Sequence, residues 1–240
     1  MTRLLILLAG LVHICLTCNC QAKTTVPSGP RLQSVTKRVG PRLEEELSDR
    51  NLQLGNPIYI RIFKEELELE LWVREDEAFT LFRTYPVNYY GGEGLGPKLR
   101  EGDHRAPEGF YSVKPAQMNP YSHYHLAFNL GFPNAWDRAH KRTGSNIMVH
   151  GDTLSVGCFA MTDSLIEEIY LLADAALRKG QPAFDVHVFP FRMTQENMDR
   201  FRNSEHIAFW QELREGFDLF ETKGFIPPKV SVVKGVYKFE

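Results

Sequence analysis

The chain has 240 residues, a formal net charge of −2, 43% hydrophobic and 24% charged residues, so disorder over most of its length is excluded. The length suits one large domain or at most two. A charge so near zero gives no electrostatic footprint for nucleic acid, and no nucleic-acid partner is expected.

Met1-Thr2-Arg3 is a short basic start, and Leu4 to Leu16 is almost wholly apolar. That run is thin for a membrane span but fits the apolar region of a secretory signal peptide. Cleavage is placed after Ala22, where Cys20 and Ala22 occupy the small-residue positions that a signal peptidase reads. An uncleaved anchor is the alternative. Lipidation is disfavoured because Ile14, Thr17 and Asn19, none of them Ala or Gly, precede the three early cysteines. Residues 1–22 are therefore read as a signal peptide, with no membrane span left after cleavage. Of the four cysteines, only Cys158 then remains. In an oxidising exported compartment, a leftover cysteine suggests a reactive thiol or an intermolecular bridge. A buried, inert thiol is the plainer alternative.

Lys23 to Gly40 is rich in Pro, Gly, Ser and Thr and reads as a flexible leader. A short helix is expected from Pro41 to about Gly55, so residues 23–55 form a leader and residues 56–240 the domain proper. From Ile58 the period becomes two. Ile58, Ile60 and Ile62, then Leu67, Leu69 and Leu71, predict a hairpin turning at Lys64-Glu65, with its glutamates on a solvated face. Phe79 to Val87 is a third strand. The glycine-rich stretch 91–109 is a long loop of a length that is usually functional, and its spacing does not match a phosphate-binding loop. Strands follow at Phe110–Val113 and His125–Leu130. His123 and His125 would share a face, but no other ligand stands at metal spacing, so no metal is expected. Asn146 to His150 is an apolar strand. Ser164 and Glu167 have capping-box spacing before a helix that ends near Lys179-Gly180. A strand at Ala183–Phe189, helices at Glu196–Arg202 and Glu205–Glu215, and a hairpin around Lys234-Gly235 complete the chain. The sum is one α+β domain, strand-rich at the front and helical at the back.

The chemistry concentrates in Ile147-Met148-Val149-His150-Gly151-Asp152-Thr153-Leu154-Ser155-Val156-Gly157-Cys158. A thiol attacks as thiolate, and a nearby imidazole takes its proton. A histidine at a strand end and a cysteine at the end of the following loop are placed to meet. Gly157 leaves room for a substrate carbonyl beside the Gly157 and Cys158 amides, an oxyanion hole in outline. A core histidine touching a buried thiol is the competing reading.

His150-Gly151 followed by Ser155-x-Gly157-Cys158 resembles the signature of the L,D-transpeptidase catalytic domain (YkuD type), the cysteine enzymes of bacterial peptidoglycan. Ile58–Lys64, Leu95-Gly96-Pro97-Lys98 and Pro107-Glu108-Gly109-Phe110-Tyr111 extend the likeness over roughly residues 56–240. Ser155–Asp163 and Phe189-Pro190-Phe191-Arg192-Met193-Thr194 look most like the YafK-like branch. The resemblance implies a strand-rich mixed β-sandwich of that type with appended C-terminal helices, and no cofactor. It implies Cys158 as nucleophile, His150 as general base, the Gly151 carbonyl orienting the imidazole, the Gly157 and Cys158 amides holding the oxyanion, and Ser155 shaping the loop. One departure stands out. The family pattern places Arg where this chain has Ala160, so another cation must serve, with Arg138, Arg142 and Lys98 as candidates.

The YafK-like branch resembles hydrolases. It implies a periplasmic amidase that cuts the meso-diaminopimelate–lysine amide anchoring Braun-type lipoprotein, through a Cys158 thioester. Its partners would be peptidoglycan stem peptides and the peptidoglycan-linked lipoprotein. The alternatives are an L,D-transpeptidase that forms 3→3 cross-links or attaches lipoprotein, and an inactive wall-binding module. Zinc hydrolysis lacks a HExxH motif.

Overall fold

In the computed structural model, residues 25–92 and 94–240 are described, so the expected signal peptide lies outside the described residues. Most of the described part of the segment read as a flexible leader is helical. From Pro30 to Ser48 it forms one helix, α1. The sequence misleads here because Pro41 denies the helix one N–H, which usually marks a helix start. The carbonyl it leaves without that partner belongs to Lys37, which is exposed. Leu32, Val35, Val39, Leu43 and Leu47 repeat every three or four residues and are buried. That stripe, rather than the local composition, decides the conformation.

Strands β1 (Ile58–Phe63), β2 (Glu68–Glu75) and β3 (Ala78–Pro86) form the expected antiparallel meander. With β4 (Gly109–Val113) and β9 (Phe184–Phe189) they make a five-stranded sheet of order β3-β2-β1-β9-β4, in which β1 and β9 are parallel. A second sheet of order β5-β6-β7-β8 contains β5 (Met118–Asn119), β6 (Ala127–Asn129), β7 (Met148–His150) and β8 (Phe159–Ala160). Between β8 and β9 runs α3 (Asp163–Arg178), which packs beside α1. A short α2 (Ala135–Ala139) precedes β7, and α4 (Gln195–Arg200) and α5 (Ile207–Thr222) follow β9. The chain closes with the expected hairpin, β10 (Val230–Val233) and β11 (Val236–Phe239). Lys234 and Gly235 both take positive φ there, as a tight two-residue hairpin turn requires.

The first sheet is covered on both faces. Ile58, Ile60 and Ile62 enter the main core, while Tyr59 and Phe63 pack into aromatic clusters with Trp72, Phe217 and Phe220. The glutamates are therefore not all on a wet face. Glu70 lies opposite Arg61 in register and is 3% exposed. It pairs with Arg61 at 2.7 Å and with Arg192 at 2.8 Å. The Arg61 guanidinium also lies 4.6 Å from the Phe220 ring centroid. Helix α5, about 150 residues downstream of the hairpin, converts a solvated strand face into an interior one.

Candidate active site

Parallel pairing sets His150 of β7 beside Ala160 of β8, and Val149 beside Phe159. Because side chains alternate across a strand, Val149 and Phe159 enter the core while His150, Met148, Ala160 and the preceding Cys158 share the opposite face. The outer edge of β8 is also held. Ala160 donates to the Tyr89 carbonyl at 2.7 Å, and the Asn88 N–H donates to the Ala160 carbonyl at 2.9 Å. The chain leaving β3 thus fastens the strand that follows the cysteine.

Cys158 and His150 both line a cleft of about 370 Å³, whose wall is the segment from Asn119 to Tyr124. Tyr121 and Tyr124 are 66% and 52% exposed there, and the Tyr124 ring lies 4.9 Å from the His150 ring. The wall is held from the N-terminal side. Arg31 donates to the Ser122 and His125 carbonyls, and the Tyr121 hydroxyl donates to the Ser28 carbonyl at 2.8 Å.

His150 Nδ1 faces the carbonyl of Gly151. A carbonyl only accepts, so that nitrogen carries the proton and Nε2 keeps a free lone pair. The direction of this carbonyl is fixed from both sides. Gly151 N–H donates to Leu126 at 3.1 Å, and Asp152 N–H donates to Asp163 Oδ1 at 2.8 Å. Asp163 was missed in the sequence, where Ser164 and Glu167 looked like a capping box. In the structure Thr162 is the cap and α3 starts at Asp163. Glu167 turns instead to Arg38 and to His125 Nε2, at 2.6 and 2.8 Å. His125 has φ +63° and precedes β6 rather than opening it, so the two histidines do not share a strand face.

The thiol receives the Met148 N–H at 3.3 Å and lies 3.5 Å from the Asn146 carbonyl. Ser155 Oγ donates to the Cys158 carbonyl at 2.8 Å and accepts the Cys158 N–H at 2.9 Å. The amide expected to hold an oxyanion is thus already committed to Ser155. Gly157 has φ +90°, a conformation that favours glycine. Ser155→Ala would free both ends of Cys158, a loss of about 1–3 kcal/mol. We expect kcat/KM to fall roughly 5- to 150-fold, as steady-state assays of the variant would show.

Burial pushes the Cys158 thiol up, against the Met148 N–H, the Ser155 hydroxyl and the charge of Lys98. Burial also pushes the His150 imidazole down, against the Gly151 carbonyl and the charge of Asp152. Both shifts favour a neutral thiol beside a neutral imidazole, rather than a standing ion pair.

The three candidate cations part company. Lys98 is buried and bonded to Asp103 at 2.6 Å, and its charge is the weakest of the influences that lower the thiol. Arg142 pairs with buried Asp137 at 3.1 Å and stacks 4.2 Å from Trp136. Arg138 bonds the Pro133 carbonyl. None of the three lines the cleft.

Residues 57–184 match the family model for the L,D-transpeptidase catalytic domain, YkuD. The chain is 50% identical over 184 residues to YafK of Escherichia coli strain K12, provisionally named an L,D-transpeptidase, covering 77% of this chain and 74% of that protein. The YafK protein of Escherichia coli O157:H7 matches to the same extent. Among solved structures, the helical cell shape determining protein Pgp2 from Campylobacter jejuni is similar at 19% identity and a TM-score of 0.44, over 78% of this chain and 79% of that one. The family match spans the strand that carries His150, the loop that carries Cys158 and most of the first sheet, and on it the chain belongs to the L,D-transpeptidase catalytic domain (YkuD) family.

Proposed function

We propose that the protein is a periplasmic cysteine amidase of peptidoglycan. It would hydrolyse the amide between meso-diaminopimelate and the lysine of a Braun-type lipoprotein, and so release the lipoprotein from the wall. The observation that carries the catalytic part is the pairing of Cys158 and His150 on one sheet face in one cleft, with the imidazole proton placed on Nδ1 by the Gly151 carbonyl. Membership of the family supports peptidoglycan as the substrate, and the amidase reading follows from the resemblance of Ser155–Asp163 and Phe189–Thr194 to the YafK-like branch.

His150 Nε2 takes the Cys158 proton as sulfur attacks the amide carbon, so the proton moves with bond formation from a neutral pair. The tetrahedral intermediate collapses when the imidazolium passes that proton to the departing lysine nitrogen. A thioester on Cys158 and a free amine result. Water, deprotonated by His150, then attacks the thioester and releases a carboxylate and the thiol. With Ala160 uncharged, none of Lys98, Arg138 and Arg142 lines the cleft, and of the three only the charge of Lys98 bears on the thiol, weakly. Tyr121 and Tyr124 offer amphipathic surface to the stem peptide.

A transpeptidase shares the first half of this sequence and differs in its acceptor, an amine in place of water. The name carried by YafK favours that second reading. Incubating the protein with purified sacculi and analysing the muropeptides separates the two. Loss of the lipoprotein remnant with no new dimers supports the amidase. New 3→3 dimers overturn it in favour of the transpeptidase.

The burial of His150 carries a pH prediction. Its basic form persists to lower pH than that of a free imidazole, so the acid limb of kcat/KM should fall below about 6.5. A limb at or above that value would mean that burial does not govern the base.

A further inference from the structure

Lys64, which the sequence places at a hairpin turn, is 1% exposed, and its partner Glu108 is fully buried. An ammonium has three protons, and all three are used. Lys64 Nζ donates to the Gly96 carbonyl at 2.8 Å, the Ala106 carbonyl at 3.1 Å and Glu108 Oε1 at 2.9 Å. Glu108 is equally occupied. Its Oε1 accepts the Gly96 N–H at 2.8 Å, and its Oε2 accepts Trp210 Nε1 at 2.8 Å. One buried ion pair therefore ties two distant points of the glycine-rich segment to β1 and α5.

That segment rests directly on the nucleophile's loop. Gly91 has φ +70°, and a Cβ placed on it would come within 2.3 Å of the Gly157 nitrogen. On the other side, a Cβ on Gly157 would lie 3.1 Å from the Arg105 carbonyl oxygen. Backbone meets backbone here, with no side chain between to absorb a shift. Displacement of the segment is therefore transmitted to the residue before Cys158.

We infer that the Lys64–Glu108 pair is a positioning device for the reaction: by holding the 91–109 segment against Gly157, it sets where Cys158 Sγ stands relative to His150. Neither residue lines the cleft. A buried pair is poor evidence of stabilisation, since apolar replacements often do as well, whereas the two carbonyl anchors are lost with any side chain at position 64 that carries no hydrogen-bond donor. The inference rests on the cysteine enzyme reading, so its test includes a readout that needs no peptidoglycan.

Lys64→Met alone strands a buried carboxylate and is expected to unfold readily. The double variant Lys64→Met/Glu108→Gln removes both charges, and Gly91→Ala lifts the segment off Gly157 without touching the pair. For each we would measure the melting temperature, kcat and KM well below the transition, and the pH profile of Cys158 alkylation by iodoacetamide. The expected result is a fall in kcat of roughly 10- to 100-fold with little change in KM. The alkylation profile should also move, in Gly91→Ala and in the folded double variant alike. Wild-type kcat and an unmoved alkylation profile in Gly91→Ala would overturn the inference, even if the double variant does not fold. If the wild-type protein acts on no peptidoglycan substrate, the enzyme reading fails, and the alkylation profiles still report whether the segment positions the thiol.

Discussion

Exchange of Cys158 for alanine is expected to reduce turnover of a peptidoglycan substrate to background while leaving the melting temperature within a few degrees of the parent. The thiol is partly buried and makes only long contacts, to Met148 and Asn146, so its loss costs little packing. No other cysteine is present among the described residues to take its place. His150→Ala should be nearly as severe, with kcat/KM down by about 10²- to 10⁴-fold, the usual contribution of a general base. The two losses should not add, because in the proposed mechanism the groups act on one proton in one step. Steady-state assays on the single and double variants check this. A double variant much worse than either single would show that His150 works independently of Cys158.

The second large effect is expected at the N-terminal helix. Leu43 is fully buried in α1, and Leu43→Ala should cost about 2–5 kcal/mol through lost transfer energy and the cavity left behind. For a domain of this size that lowers the melting temperature by roughly 4–20 °C. A chain starting at Asp49 loses Leu32, Leu43 and Leu47 together with Val35 and Val39. Its deficit rivals the whole stability of an ordinary domain, about 5–15 kcal/mol. It should give no cooperative unfolding transition by calorimetry. Arg31→Ala separates stability from function at the same helix. Arg31 is exposed, but it holds two carbonyls of the cleft wall, so KM should rise several-fold with the melting temperature little changed.

The contrast between α1 and the hairpin explains what could be read from the chain. Alternation at Ile58, Ile60 and Ile62 identifies a strand because the period is local, and the paired strands appear as expected. The fate of the other face is not local. Tyr59, Arg61 and Phe63 are covered by residues of α5 that follow only after about 150 positions, so no short-range pattern marks Glu70 as buried. Lys64 is hidden for the same reason. Its three acceptors lie at residues 96, 106 and 108, and beside Glu65 it has the composition of an ordinary turn. That His150 and Cys158 share one cleft can be read from the sequence, because a strand, a loop and glycine spacing separate them by only a few residues. The cleft wall cannot, because Arg31 and Ser28 reach it across more than ninety residues.

Those long reaches bear on the order in which the molecule becomes competent. Arg38 and Arg42 find Glu167 and Glu168 at separations of 129 and 126 residues, and β1 waits for β9 before the first sheet is complete. A growing chain thus exposes the stripe of α1 long before the helix that covers it exists. High contact order slows folding because loop closure is costly before native contacts compensate. A half-made chain would carry an open strand edge and an unfinished cleft wall. The cleft wall draws on Ser28, Arg31 and residues 121–125, all made before the cysteine loop, so it can close before Cys158 is in place.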